Sequence, residues 1–191
     1  MTSEARSGTP VDDSELWQRS TQGDEGAFTQ LFERHVSSVW NHCYRLTGSW
    51  AQAEDLTSGT FLTAWRRKKE VTLVRESALP WLYTVAANLA RTEHRGSARR
   101  LRLLKRIPEP VHVPDHAEAV AEQVDGEERM RLIAGAVRAL PKSQRRVVEL
   151  CLLGELPAAD AAEVLGVSEV TVRSHLSRAR AQLRKALEES A

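Results

Sequence analysis

Cysteine, net charge, long apolar runs and alternating apolar patterns are all scarce in this chain, and each scarcity closes off a class of protein. Only Cys43 and Cys151 occur. Both sit inside apolar helical patterns and not in a Cys-x-x-Cys spacing, so neither a disulfide framework nor a zinc ligand set is expected. His112 and His116 have helix-like metal spacing, but Pro114 lies between them and forbids a regular helix there. No metal or cofactor site is therefore expected. No apolar run is long enough to span a bilayer, and Met1 to Val11 is polar, without the apolar core of a signal peptide. The expectation is a cytoplasmic protein with no membrane insertion. Alternating apolar residues appear nowhere over any useful length, so an all-α fold without a sheet is expected. Catalytic material is thin as well. Cys43 with His42 or His35 is the nearest approach to a nucleophile and base, yet neighbouring helical residues point in different directions and these positions fall in the apolar pattern.

The net charge of the 191 residues is only +1, but its distribution is uneven. From Arg91 to Arg106 the chain carries Arg91, Arg95, Arg99, Arg100, Arg102, Lys105 and Arg106 against the single acid Glu93. From Ile107 to Glu128 the sign reverses: acids from Glu109 to Glu128 occur with no Lys or Arg between them. Pro108, Pro110 and Pro114 break any helix in the same stretch. Block patterning of this kind indicates a basic working surface followed by an acidic connector. The chain thus divides into a loose start (1–12), a helical block (13–106), an acidic Pro-containing flexible linker (107–126) and a second helical block (127–191).

Apolar spacing fills in the first block. Phe28, Leu31, Phe32, His35, Val39, Cys43 and Leu46 repeat at helical intervals, Gly48 can close that helix, and Ser49-Trp50-Ala51-Gln52 has the form of a capping box. The helix that follows places Ala53, Leu56, Thr60 and Ala64 on one side, with Phe61 and Trp65 close by.

The second block contains the most informative stretch, Leu140 to Leu187. Pro157 suits the start of a helix, and Ala158, Ala161, Ala162 and Leu165 fall on one face. Gly166 can end that helix in a left-handed conformation and Ser168 can cap the next. In the next helix, which starts near Glu169, Val172, Leu176, Ala179 and Leu183 form an apolar stripe, so Arg173, Ser174 and Ser177 project outward. Arg178, Arg180, Arg184 and Lys185 extend the positive charge. The pattern is a helix-turn-helix whose second helix enters a major groove, with Ser168 and Thr171 at its leading end. The competing reading is a helical hairpin whose arginines merely solvate its outer face; the capped turn and the outward Arg-Ser-x-x-Ser set together favour DNA.

The helix starting near Ser77 also has two faces. Leu82, Val85, Ala86 and Leu89 make its core side, while Trp81, Thr84, Asn88, Arg91, Arg95 and Arg99 share the other. A ring, an amide and arginines in a row suit unpaired nucleic acid, where bases stack and the backbone meets cations. Trp81 packing on a neighbouring helix and Asn88 satisfying buried backbone groups are the alternatives for those residues taken singly.

These two blocks carry a resemblance to the sigma-70 family of initiation factors, extracytoplasmic-function group. Asp24 to Trp40 resembles that family's first core helix. Ala53-Glu54-Asp55-Leu56-Thr57 with Phe61-Leu62-Thr63-Ala64-Trp65 resembles its polymerase-binding helix. Trp81-Leu82-Tyr83 through Asn88-Leu89-Ala90-Arg91 and Arg95 resembles its promoter-melting helix, and Leu140-Pro141 to Leu187 its minus-thirty-five reader. The resemblance implies a subunit of core RNA polymerase, itself not an enzyme, that directs polymerase to promoter DNA and helps open it. It implies polymerase contacts through Glu54, Asp55, Leu56, Phe61 and Trp65, with the first domain on the coiled coil of the largest subunit and the second on the flap of the next largest. It implies minus-ten contacts through Trp81, Asn88, Arg91, Arg95 and Arg99, and minus-thirty-five contacts through Ser168, Thr171, Arg173, Ser174, Ser177, Arg178 and Arg184. The loop from about Glu70 to Ser77 would hold a flipped base, and the connector would thread towards the polymerase cleft. An anti-sigma partner is common in the family.

Two departures stand out. Ser58-Gly59 replaces the family's usual Gln-Glu, and glycine inside a helix costs about 1 kcal/mol relative to alanine. Thr92 stands where an Asp is usual. No fused ligand sensor after Ala191 is expected. A response-regulator-type helix-turn-helix regulator is the rival reading, since Thr171-Val172-Arg173-Ser174-His175-Leu176 suits that class too. Its receiver domain needs buried strands that the first block does not offer. From charge alone, the tethered acidic connector, with Glu118, Glu122, Asp125, Glu127 and Glu128, is expected to fold back over the basic faces of Arg91 to Arg106 or Arg173 to Lys185 in the free protein, the competing reading being a solvated linker with no preferred contact.

Overall fold

Short polar residues at helix starts and apolar stripes along helix faces set out the architecture. The computed structural model describes residues 11–73, 76–104 and 121–189, as backbone alone over 97–104 and 121–125. The helices are α1 (Asp13–Thr21), α2 (Glu25–Thr47), α3 (Trp50–Arg67), α4 (Leu79–Leu104), α5 (Ala121–Ala139), α6 (Lys142–Val148), α7 (Ala158–Leu165) and α8 (Glu169–Glu188). A short 3₁₀ turn follows α3, and a wider π-helical turn, Glu149–Leu153, follows α6. Among the described residues no β-strand occurs, as the missing alternation implies.

The N-termini are fixed by side chains that accept otherwise unpaired amide protons. Asp12 accepts from Glu15, Asp24 from Ala27 at 2.9 Å, and Ser168 from Thr171 at 3.2 Å. Ser49 accepts from the Gln52 amide at 3.5 Å, while its own amide donates to Thr47 Oγ1. The break between α1 and α2, at Gly23 and Asp24, was not evident in the periodicity of the first block.

The first four helices enclose Leu16, Leu31, Val39, Leu56, Phe61 and Leu82; the last four enclose Val137, Leu140, Val147, Val148, Val172 and Leu176. These are not two separate cores. α5 begins at Ala121, so the last residues of the stretch read as linker are already helical, and α5 lies against the end of α2. Gly48 makes that approach feasible: it is left-handed (φ 68°), and a Cβ there would sit 2.5 Å from the Arg131 amide nitrogen. On the other side of the seam, a Cβ on Gly154 would meet the Tyr83 ring at 2.8 Å. Arg45 ties the two sets together, donating to the Leu153 carbonyl at 3.0 Å and pairing with Glu155 at 2.7 Å.

The acids expected to cover the basic faces are only partly within view. Residues 105–120, and the side chains of Glu122 and Asp125, lie outside the described residues. Glu127 is engaged elsewhere: it accepts from the Trp50 amide at 3.2 Å and pairs with Arg131, one turn along α5. For Glu127 the expectation is therefore corrected, because α5 carries it to the start of α3 and not to α4 or α8.

Candidate nucleic-acid interface

The turn between α7 and α8 is built as its residues dictate. Gly166 ends α7 at φ 65°, with its amide bonded back to the helix, and Ser168 starts α8. Ala161, Ala162, Val172, Leu176 and Ala179 are buried between the helices, which turns Arg173, Ser177, Arg178 and Arg184 to the exterior and leaves Ser174 half-buried. Arg173, Ser177, Arg180 and Arg184 border a shallow groove of about 400 Å³ along the outer face of α8. Arg173 donates to Glu169 one turn earlier, which holds its guanidinium over the leading end of the helix. Ser168 and Thr171 are occupied with each other: besides the cap, their hydroxyls are 2.8 Å apart.

The outward side of α4 faces a different environment from the one its sequence suggests. Trp81 is half-buried, its ring edge-on to Trp17 with centroids 5.5 Å apart, so packing accounts for much of its surface. Asn88 is exposed and its side-chain oxygen accepts from Arg91. Arg91 also pairs with Glu149, on the π-helical turn of the second helical set. Asn88, Arg91 and Arg95 together with Lys142, Arg145 and Arg146 line a cleft of about 390 Å³ between the two sets. Sequence reasoning did not anticipate this juxtaposition, since it brings together residues more than forty positions apart. The Arg99 side chain lies outside the described residues.

The loop before α4 is anchored from α1. Asp13 accepts from the Ala78 amide at 2.9 Å and the Ser77 hydroxyl at 3.4 Å, while its carboxylate also meets Arg34 and His35 at 2.6 Å each. Burial alone would raise this carboxyl, but the bonds from His35 and the Ala78 amide, with the charges beside it, outweigh burial and hold it at about 2. Trp17 Nε1 fixes the other end by donating to the Val71 carbonyl at 3.2 Å. Between these anchors Glu76 adopts a left-handed backbone (φ 57°), uncommon for a residue with a Cβ. Of the loop read as Glu70 to Ser77, positions 74 and 75 lie outside the described residues.

Helix α3 separates the residues grouped as polymerase contacts. Glu54 and Asp55 are exposed. Leu56 and Phe61 are buried, because the inward stripe of α3 runs through Ala53, Leu56, Thr60, Phe61 and Ala64. Direct contact of those two side chains with a partner is corrected on that ground. Trp65 is half-buried, edge-on to Phe28 at 5.0 Å and covered by the Lys68 ammonium 2.8 Å from its ring centre. Exposed apolar side chains beside them are instead Leu62 (48 % exposed) on α3 and Phe32 (40 %) on α2, whose ring is edge-on to Phe61. Leu62 follows Asp55 and Ser58 at i, i+3 and i+7, off the core stripe, and that offset was the available signal.

Chemistry of the nucleophilic kind has no support in this arrangement. Burial pushes the Cys43 thiol up to about 11 and holds the His42 imidazole down to about 4, where it stacks on Tyr83 with ring centres 4.2 Å apart. Both are core groups. Among the described residues no cluster of His, Cys, Asp and Glu is placed to hold a metal ion, and His112 and His116 lie outside those residues. No described helix is long and apolar enough to cross a membrane.

Comparison with known proteins places these surfaces in a family. Residues 31–100 match Sigma-70 region 2, and residues 130–183 match Sigma-70, region 4. The ECF RNA polymerase sigma factor SigL of Mycobacterium tuberculosis is 31% identical over 159 residues, 83% of this chain and 88% of that protein. In fold, the chain is similar to CnrH, solved in complex with the cytosolic domain of CnrY, with a TM-score of 0.65 and 23% identity over 94% of this chain and 99% of that one. It is also similar in fold to the sigma factor RpoE of Bartonella quintana, co-crystallised with the anti-sigma factor NepR. That TM-score is 0.57, at 21% identity over 84% and 96% of the two chains. With both regions matched in order and SigL matched along most of its length, the chain belongs to the extracytoplasmic-function group of the sigma-70 family and is a transcription initiation factor that binds RNA polymerase and acts at promoters.

Proposed function

We propose that the chain divides initiation between its two helical sets, with 13–106 docking on core polymerase and opening the minus-ten element, and 127–191 reading the minus-thirty-five element in duplex DNA. The observation that carries this is the outer face of α8, where Arg173 and Ser177 stand clear of a buried stripe in a capped helix-turn-helix. Phosphate contacts from Arg178 and Arg184 position the helix, and base-edge contacts from Arg173 specify the sequence. Glu54 and Asp55, joined by the apolar side chain of Leu62, form the docking face on α3. Asn88, Arg91 and Arg95 meet the unpaired strand once the cleft between the sets has opened. The protein works in the cytoplasm as a subunit and not as an enzyme, and a restraining partner of the anti-sigma class, such as the one solved with RpoE of Bartonella quintana, completes the proposal.

Reconstituted transcription tests it. Core polymerase with this chain, offered a library of promoter sequences, should start at a defined subset that shares a minus-ten and a minus-thirty-five element. Permanganate should then detect unpaired thymines around the minus-ten element. Initiation no more selective than that of core polymerase alone rejects the proposal.

A further inference from the structure

The leading end of α8 carries an apolar side chain that its own fold does not use. Val170 is 75 % exposed, well above Leu132 at 54 %, the next large apolar residue in order of exposure among those described. An isolated surface valine is unremarkable in itself, so its position decides the matter. It is the second residue of α8, in a first turn that favours acidic or polar groups, and a β-branched residue gains nothing there from helix propensity. Val170, Arg173, Ser174 and Ser177 fall at i, i+3, i+4 and i+7, so Val170 extends the outward DNA-facing row towards the N-terminus of the helix, on the side away from Val172 and Leu176. Polar groups around it are already engaged. Ser168 and Thr171 cap the helix and bond to each other, and Glu169 holds Arg173. Val167, three positions earlier in the turn, is also exposed.

In the major groove the only apolar group on a base edge is the methyl of thymine, and recognition helices meet base edges with their N-terminal residues. We infer that Val170 is a specificity-determining residue that packs against the methyl group of a thymine in the minus-thirty-five element. The inference rests on the reading of α8 as the helix that enters that element. It adds a base preference that Arg173 and the serines cannot supply, because their contacts are polar.

The test is a cycle between protein and DNA, run on the complex with core polymerase. Binding-site selection first defines the minus-thirty-five element for the unaltered chain. Each thymine in it, on either strand, is then replaced singly by deoxyuridine, which removes the methyl and leaves pairing intact, and affinity is measured with the unaltered chain and with Val170→Ala. At one thymine the unaltered chain should lose affinity roughly three- to tenfold, the scale of one buried methyl contact, while Val170→Ala should bind thymine and uracil DNA alike. Alanine is the better helix former and the site is exposed, so folding is retained. An element without thymine, or a uracil penalty undiminished in Val170→Ala, overturns the inference. Arg173→Ala serves as the separate control: if it alters base preference while the uracil cycle is flat, the helix reads DNA but Val170 does not. If Arg173→Ala also leaves the preference unchanged, the reading of α8 itself fails.

Discussion

Arg91 of α4 is clasped between Asn88, one turn earlier on the same helix, and Glu149, on the π-helical turn that follows α6 in the other helical set. Glu149 is almost wholly buried; burial raises its carboxyl above the usual range, and Arg91, Arg145 and Arg146 pull it back only in part. With its donors committed to Glu149 and Asn88, Arg91 has fewer left for an unpaired DNA strand. If Arg91 meets the unpaired strand, as proposed, the seam and strand binding compete for its donors, and that competition would link domain arrangement to promoter opening.

Replacing Glu149 with Gln should shift that competition. Removing one partner of a buried ion pair costs about 3–5 kcal/mol when both groups are fully enclosed, but Arg91 lines an open cleft and can rehydrate, so the cost here is smaller. The variant should remain folded, expand in X-ray scattering, and bind a single-stranded minus-ten oligonucleotide about fivefold or more tightly than the unaltered free chain at low salt. Identical scattering curves and identical affinities would remove the link between the clasp and strand binding.

On α8, the roles of arginines should separate by measurement. Arg173→Ala is expected to cost roughly 1–3 kcal/mol of discrimination at one base position, because the contact proposed for it is with a base edge. Arg178→Ala and Arg184→Ala should weaken binding to all sequences alike and lower the salt dependence by about one unit of slope each, because the contacts proposed for them are with phosphate. Binding-site selection and salt titration on the same set of variants decide it. An unchanged minus-thirty-five preference with Arg173→Ala is the result that sinks the assignment.

On α3, Asp55→Arg and Leu62→Ser should reduce co-purification with core polymerase while leaving thermal unfolding nearly unchanged, since both side chains are exposed. Phe61→Ala should behave in the opposite manner, losing about 3–5 kcal/mol of stability because its ring is in the core against Phe32 at 4.8 Å. Full retention of polymerase binding by the Asp55 and Leu62 variants would remove the docking face.

What the sequence made legible was local. The capped turn at Gly166 and Ser168, the stripe of α8 and the end of α2 at Gly48 each depend on residues a few positions apart, and the fold contains them as read. The polymerase-contact set was legible only as a motif: exposure splits it, because Leu56 and Phe61 belong to the inward stripe and Leu62 does not. Long-range pairings were out of reach. Nothing near Arg91 in the chain announces Glu149, nothing near Gly48 announces Arg131, and the Asp13 carboxylate beneath Ala78 looks in sequence like an ordinary acid at a helix start.

Two glycines should respond in opposite ways to alanine. Gly59 is inside α3, and a Cβ there would lie 3.4 Å from Leu89, an ordinary contact, so Gly59→Ala should stabilise by up to about 1 kcal/mol through helix propensity. Gly48 has both a left-handed backbone and the main chain of α5 in the way. Gly48→Ala should therefore destabilise, and should detach α5 from α2 before the first four helices unfold. Denaturant titration with hydrogen exchange on α5 distinguishes the two, and a stabilised Gly48→Ala would contradict the packing described for the seam.

Below pH about 4, acid should weaken the fold through Asp13. Its carboxyl sits at about 2 in the folded chain against an ordinary value of 3.8, so the folded state favours the charged form. A carboxyl depressed on folding contributes stability that is fully present above the unfolded value and is lost as pH falls through the folded one. The window here runs from about 3.8 down to about 2, and a shift of this size corresponds to roughly 2 kcal/mol. Asp13 is nearly enclosed, so little of that is lost to solvent screening. Asp13→Asn retains an acceptor for the Ala78 amide but not the charge facing Arg34 and His35. It should be less stable than the unaltered chain at neutral pH and show a flatter decline below pH about 4. The same change should loosen the loop at Ser77 and raise its hydrogen exchange, since that loop hangs from this carboxylate. Urea titrations from neutral pH into the acid range measure the first effect, and parallel declines for the two proteins would show that Asp13 does not hold the loop by charge.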